Sequence, residues 1–201
     1  MWKKILLVPI VAIVAFAIYV AVQPAEFKIE RSTVIEAPPE VAFAQVNDFH
    51  AWDAWSPWAK LDPNSKATFE GPASGQGAIF KWAGNNDVGE GKMTITESKP
   101  SELIKIQLDF LKPMEATNQT EFRFQPEGKG TKVTWTMLGR NNFVGRAMCT
   151  IMNMQKQLEK QFDQGLASMK KEAEAKKNAP VVAEAAANAT AAPTATATAA
   201  K

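Results

Sequence analysis

Between Phe27 and Met137 the chain repeatedly sets apolar side chains at every second position, and that alternation restricts its fold more than any other feature. Phe27, Ile29, Thr33 and Ile35 share one parity, and Ile104, Ile106, Leu108 and Phe110 another, with Lys105, Gln107 and Asp109 between them. A period of two is that of a strand with one dry and one wet face. Thr120, Phe122 and Phe124, then Val133, Trp135 and Met137, alternate on either side of a turn from Glu127 to Gly130, which predicts an antiparallel hairpin. Residues 78–82 and 92–96 flank Gly84, Asn85, Asn86 and Asp87, residue types that tolerate turn conformations, and predict a second.

Two helical stretches complete the folded part. Pro38 and Pro39 open a short helix reaching about Phe49, because proline is tolerated in a first turn. From about Phe143 to Lys177 the residues Val144, Met148, Ile151, Leu158, Phe162, Leu166 and Met169 are spaced by threes and fours or their sum, predicting one long helix with a single buried stripe. Gln155 falls in the gap of that stripe and is expected to face either a core partner or a wet cavity. The order of elements is α+β: an antiparallel sheet able to curl around a long C-terminal helix.

The ends differ in composition, dividing the chain into residues 1–25, 26–177 and 178–201. Residues 5–22 form an apolar run of about 18 residues, enough to cross a hydrocarbon core of ~30 Å as a helix. Lys3 and Lys4 precede it, so a transmembrane anchor with a cytoplasmic N-terminus and the domain on the outer side (periplasmic in a Gram-negative cell) is expected. A cleaved signal peptide is the rival reading, although Gln23, Pro24 and Ala25 make a poor cleavage site. The last segment, rich in alanine, threonine and proline, has no periodic apolar face and is expected to be disordered.

A net charge of +2, from 23 basic and 21 acidic residues scattered along the chain, offers no basic footprint for a nucleic acid. The single cysteine, Cys149, excludes an intramolecular disulfide and a multi-cysteine metal site. Its place beside Met148 suggests a packed thiol. No His-rich or carboxylate-rich spacing suggests a metal, and no cofactor is expected.

Three segments carry a resemblance: Ile35, Glu36, Ala37, Pro38, Pro39, Glu40, Val41; Trp52, Asp53, Ala54, Trp55, Ser56, Pro57, Trp58; and Gly130, Thr131, Lys132, Val133, Thr134, Trp135. With them, the chain from Ser32 to about Lys171 resembles the START-like (SRPBCC) superfamily, which includes the birch pollen allergen, lipid-transfer START domains and bacterial polyketide cyclase or dehydratase-like proteins. The resemblance implies a helix-grip fold whose cavity, between sheet and long helix, takes lipids, polyketides and other apolar molecules. It implies no single reaction.

The residues expected to line such a cavity are Trp52, Trp55, Phe80, Trp82, Met93, Phe110, Phe122, Trp135, Met148 and Gln155. Most inward-parity residues must simply be core. Trp52, Trp55 and Trp58 recur every third residue and suit a structural plug, a cavity mouth or a bilayer contact. His50, the only histidine, has Asp48 and Asp53 close in sequence, so a base with an orienting carboxylate can be drawn; a solvent-facing imidazole at a helix corner is the plainer account. Polar groups at a cavity rim are sought in Glu90, Gly91 and Lys92, in the Asn85, Asn86 and Asp87 loop, and in Arg140, Asn141 and Asn142, although plain turn chemistry is the commoner account of each. The leading expectation is non-catalytic binding or transfer of an apolar small molecule or lipid near a membrane. The alternatives are a polyketide cyclase or dehydratase-like enzyme acting in the same cavity, and a structural or partner-binding domain.

Overall fold

The strands are β1 (Glu26–Ile35), β2 (Lys66–Glu70), β3 (Ile79–Ala83), β4 (Glu90–Lys99), β5 (Leu103–Lys112), β6 (Ala116–Glu127) and β7 (Gly130–Arg140). In the computed structural model, which describes residues 2–177 and their side chains from Pro9 onward, they form one curved antiparallel sheet of seven strands in the order β1-β7-β6-β5-β4-β3-β2. Both expected hairpins are present, the one between β6 and β7 closed through Gly128, whose φ of 61° suits glycine in a tight turn. Five exposed residues make up β2, an edge strand with no alternation to betray it. The segment 178–201, expected to be disordered, lies outside the described residues.

Helix α1 spans Trp2–Val22, α2 Pro39–Asn47 and α3 Trp52–Trp55, with a 3₁₀ turn at Phe49–Ala51 between the last two. The long helix expected over 143–177 is instead two, α4 (Phe143–Met152) and α5 (Met154–Lys176). Asn153 separates them in the left-handed region, at φ 51° and ψ 40°. The stripe divides there. Phe162, Leu166 and Met169 of α5 are buried, whereas Val144, Met148 and Ile151 of α4 face outward, because the break turns α4 away from the line of α5.

On the concave face α5 runs along β1. Arg31 bridges to Glu159 at 2.7 Å and to Asp163 at 3.3 Å. Near the other end of α5, Lys170 Nζ donates to the Val34 carbonyl at 2.6 Å, and the Glu174 carboxylate accepts from the Glu36 N–H at 2.8 Å. Sheet and helix are thereby fixed at both ends of their contact, with α2 and α3 closing the layer between. This is an α+β helix-grip arrangement.

The expected anchor requires correction. Among the described residues no helix is long and apolar enough to cross a membrane, which overturns the single-pass topology and the outward placement of the domain. Helix α1 is not a candidate span. Its last turn also belongs to the domain: Val20 is fully buried, and Arg146 of α4 donates to the Ala21 and Gln23 carbonyls at 3.2 and 2.8 Å.

Candidate binding site

The ring-bearing residues expected to line a cavity fall into two groups. Trp52, Trp55, Phe122 and Trp135 are buried in a packed aromatic cluster. Trp135 stacks on Phe162 of α5 with centroids 3.9 Å apart and on Phe122 at 4.8 Å, and it meets Trp55 edge-on at 5.7 Å. Each indole N–H has an acceptor: Trp52 donates to the Val46 carbonyl at 3.0 Å, Trp55 to the Gln45 carbonyl at 2.8 Å and Trp135 to Thr120 Oγ1 at 2.8 Å. Rings therefore fill the space between α5 and the sheet at this level. Trp58, after Pro57, packs edge-on against Trp135 and Phe162 at 5.8 and 6.4 Å.

The second group is half-open. Pairing across β3, β4, β5 and β6 sets Trp82 opposite Gly91, Gly91 opposite Phe110, and Phe110 opposite Ala116, so these four form one row across the sheet. They line an open cleft of ≈ 760 Å³ together with Lys81, Ala83, Glu90, Lys92, Asp109, Leu111, Glu115 and Thr117. The Trp82 indole lies directly over Gly91, where a Cβ would collide with it, and its N–H donates to the Val88 carbonyl at 3.0 Å. Trp82 and Phe110 meet edge-on at 6.0 Å and both remain half-buried. One row deeper come Phe80, Met93, Leu108 and Asn118.

Charges rim the cleft in pairs. Lys81 bridges to Glu70 at 2.6 Å and Lys112 to Glu90 at 2.8 Å. Asp109 accepts from Thr117 at 2.8 Å and from Gln107, with Lys92 at 3.6 Å. Burial pushes its carboxyl upward, but the Thr117 and Gln107 hydrogen bonds and the Lys92 charge outweigh burial and hold it below the usual aspartate range. A further open cleft of ≈ 560 Å³ lies at the opposite end of β6, beside Glu36, Glu127, Lys129 and Lys177, and carries no aromatic ring.

Three sequence candidates stand apart from the cleft. Met148 is exposed on α4. Gln155 faces neither core nor cavity: it is exposed and donates to Glu159 at 3.2 Å. His50 sits in the 3₁₀ turn with Nδ1 2.7 Å from Asp48 Oδ1, its ring stacked on Phe69 at 3.9 Å and open to solvent. Cys149 is half-buried against Asn141 and Met154, and burial raises its thiol pKa despite the Asn141 hydrogen bond. Of the polar groups sought at a rim, Glu90, Gly91 and Lys92 line the cleft, while Asn142 caps α4 by accepting from the Gly145 N–H at 2.8 Å. Among the described residues no three His, Cys, Asp or Glu side chains gather as metal ligands. Asn118 went unremarked in the sequence, yet its parity is that of Thr120, Phe122 and Phe124 continued one step backward.

The family described as polyketide cyclase / dehydrase and lipid transport matches residues 26–174, from β1 through nearly all of α5. The chain belongs to this family. Solved structures share this fold at low identity. The di-domain ARO/CYC BexL of the BE-7585A biosynthetic pathway has a TM-score of 0.56 at 16% identity, over 77% of this chain and 52% of that one. The Aha1 dimer from Colwellia psychrerythraea gives 0.54 at 17%, over 74% and 96%. Protein CV1439 from Chromobacterium violaceum gives 0.51 at 16%, over 76% and 99%. No curated protein matches the chain significantly.

Proposed function

We propose that the domain binds an apolar small molecule or lipid, with a flat ring system as the best fit, at the open end of its concave face, and holds it without converting it. The observation that carries this reading is the half-open pair Trp82 and Phe110 at a cleft of ≈ 760 Å³, while every other large ring expected at a ligand is either deeper or packed. A volume in the range of about 300 to 1,000 Å³ suits a ligand of drug size. Apolar contact drives such binding, at about 25 cal/mol per Å² removed from water before ordering costs are subtracted. The paired charges at the rim fit orientation of a ligand better than bond-making, since each already has a partner. The family description, which includes lipid transport, agrees with a binding role.

Native mass spectrometry of the full chain, after expression and after exposure to the ketone 1-tetralone, tests the proposal. The unaltered protein is expected to carry an apolar adduct, and Trp82→Ala to lower affinity at least about tenfold, or ~1.4 kcal/mol. Equal affinity in the Trp82→Ala protein would sink the site.

A second reading, cyclase-type catalysis, draws on one observation. The His50–Asp48 pair is an oriented imidazole whose neighbouring rings run from Phe69 to Phe80 at 5.3 Å and on to Trp82 at 6.0 Å, toward the cleft. A His50→Ala protein that binds its ligand but no longer converts it would favour that reading over simple binding.

A further inference from the structure

Most of the large apolar side chains that stand exposed among the described residues lie on two helices that touch. Eight are on α1, between Ile10 and Val22, and five are on α4, against six on all other segments together. Single exposed apolar residues are ordinary, but a contiguous patch marks a surface that something covers. Helix α1 is open on every side: at about 3.6 residues per turn, its exposed Ile10, Val11, Ile13, Val14, Phe16 and Tyr19 point all round the axis. A helix apolar all round is stable when enclosed.

The domain itself encloses almost none of it. Val20 is the one buried residue among the described side chains of α1. Yet the end of α1 is tied down, by Arg146 donating to the Ala21 and Gln23 carbonyls and by the Asn141 N–H donating to the Ala25 carbonyl at 2.8 Å. The tie has a cost, since Arg146 Nε is the only buried side-chain nitrogen or oxygen among the described residues without a hydrogen-bond partner. A joint held at that cost secures one apolar residue for the domain but presents α1 and α4 as adjoining apolar surfaces.

Charge and area decide what fits there. Residues 9–25 carry no charge, and the one charged residue of α4, Arg146, spends its guanidinium on the α1 carbonyls and lies 5.9 Å from the Phe143 ring centre. A twofold contact sets a patch against its own copy, so a neutral patch suits itself where a charged one would repel. A charged partner would find nothing to address. At about half exposure these side chains leave roughly 1,000 Å² open, comparable with the ~800 Å² per partner of a standard stable interface.

We infer that α1 and α4 form the interface between two copies of this chain, each α1 lying in the angle between α1 and α4 of the other, as a four-helix bundle across a twofold axis. A second copy brings two apolar helices, which is what a helix exposed all round needs to be enclosed. The inference is independent of binding in the cleft, whose lining includes no residue of either helix.

Sedimentation velocity of the full chain over a dilution series, without and with phosphatidylcholine vesicles, tests it. A closed dimer is expected. Ile13→Glu on α1 and Ile151→Glu on α4 replace residues 66% and 72% exposed, and each is expected to weaken the dimer at least about tenfold. In the unaltered chain, amide exchange in α1 and α4 is expected to slow as the dimer forms while exchange in β2 stays constant, a readout that needs no variant. A monomer at every concentration overturns the inference, as does a dimer indifferent to both substitutions or one whose formation leaves exchange in α1 and α4 unchanged. Open-ended assembly would contradict the twofold pair. Monomers that sediment with the vesicles, and lose that property in Ile13→Glu, would give this face to a lipid surface and overturn the inference as well.

Discussion

Trp135 joins sheet, α3 and α5 through one side chain, and its polar atom is as confined as its rings. Gly165 lets α5 approach: a Cβ there would stand 3.0 Å from Trp135 Cζ3 and 3.2 Å from Pro57 Cδ. With the ring immobilised on Phe162 and Phe122, the indole N–H cannot swing to a new acceptor, so it depends on Thr120 Oγ1 at 2.8 Å. Thr120→Val keeps shape and removes the acceptor. Denaturant unfolding is expected to show a loss of about 1–3 kcal/mol, the cost of a buried donor left unpaired, with an unchanged denaturant slope. Unchanged stability would mean that the hydrogen bond contributes nothing to the packing of this cluster.

At the scale of elements the break at Asn153 decides what α4 can do. Asparagine tolerates the left-handed region better than most residues and glycine occupies it freely, whereas a Cβ-bearing residue without a local hydrogen-bonding side chain loses ~1–2 kcal/mol there. Asn153→Gly is accordingly expected to be neutral or stabilising and Asn153→Ala to destabilise by about 1 kcal/mol in thermal unfolding; the opposite order would show that α4 and α5 prefer to fuse. This break was not legible in the sequence, because a single left-handed residue leaves the spacing of apolar residues on either side undisturbed. Val144, Met148 and Ile151 thus read as part of a buried stripe although α4 turns them outward. The central strands were legible because each has one dry face, and β2 was not, because Lys66–Glu70 has none. For the site, parity identified Phe80, Trp82, Met93 and Phe110 as inward, but not which rings would stay half-open. That depends on α5 lying along β1, fixed by Arg31 and Lys170, a relation between distant segments that no local pattern encodes.

Across the whole molecule, stability is expected to be graded from one side of the sheet to the other. Strands β6 and β7 are paired on both sides, carry the buried residues Phe122, Phe124, Val133 and Trp135, and lie in the layer that α5 completes. At the far edge β2 is hydrogen-bonded only to β3, and its five residues are all exposed. Helix α4 contributes little to the core: of its residues only Gly145 is buried, and its apolar side chains Phe143, Val144, Ile151 and Met152 face outward. Local opening of either element exposes little new apolar surface, so it should occur far more often than global unfolding. The cleft lies between these extremes, with Trp82 on β3 beside the weak edge and Phe110 on β5 beside the strong centre. Amide hydrogen exchange is therefore expected to find β6, β7 and α5 exchanging only through global unfolding, with β2 and α4 at least about a hundredfold faster, a gap of ~2.8 kcal/mol. Ligand bridging Trp82 and Phe110 couples β3 to β5, and so should slow exchange in β3 and its partner β2 while leaving α4 unchanged. Uniform protection across all seven strands would contradict the gradient, and slowing confined to α4 would place the ligand away from the cleft.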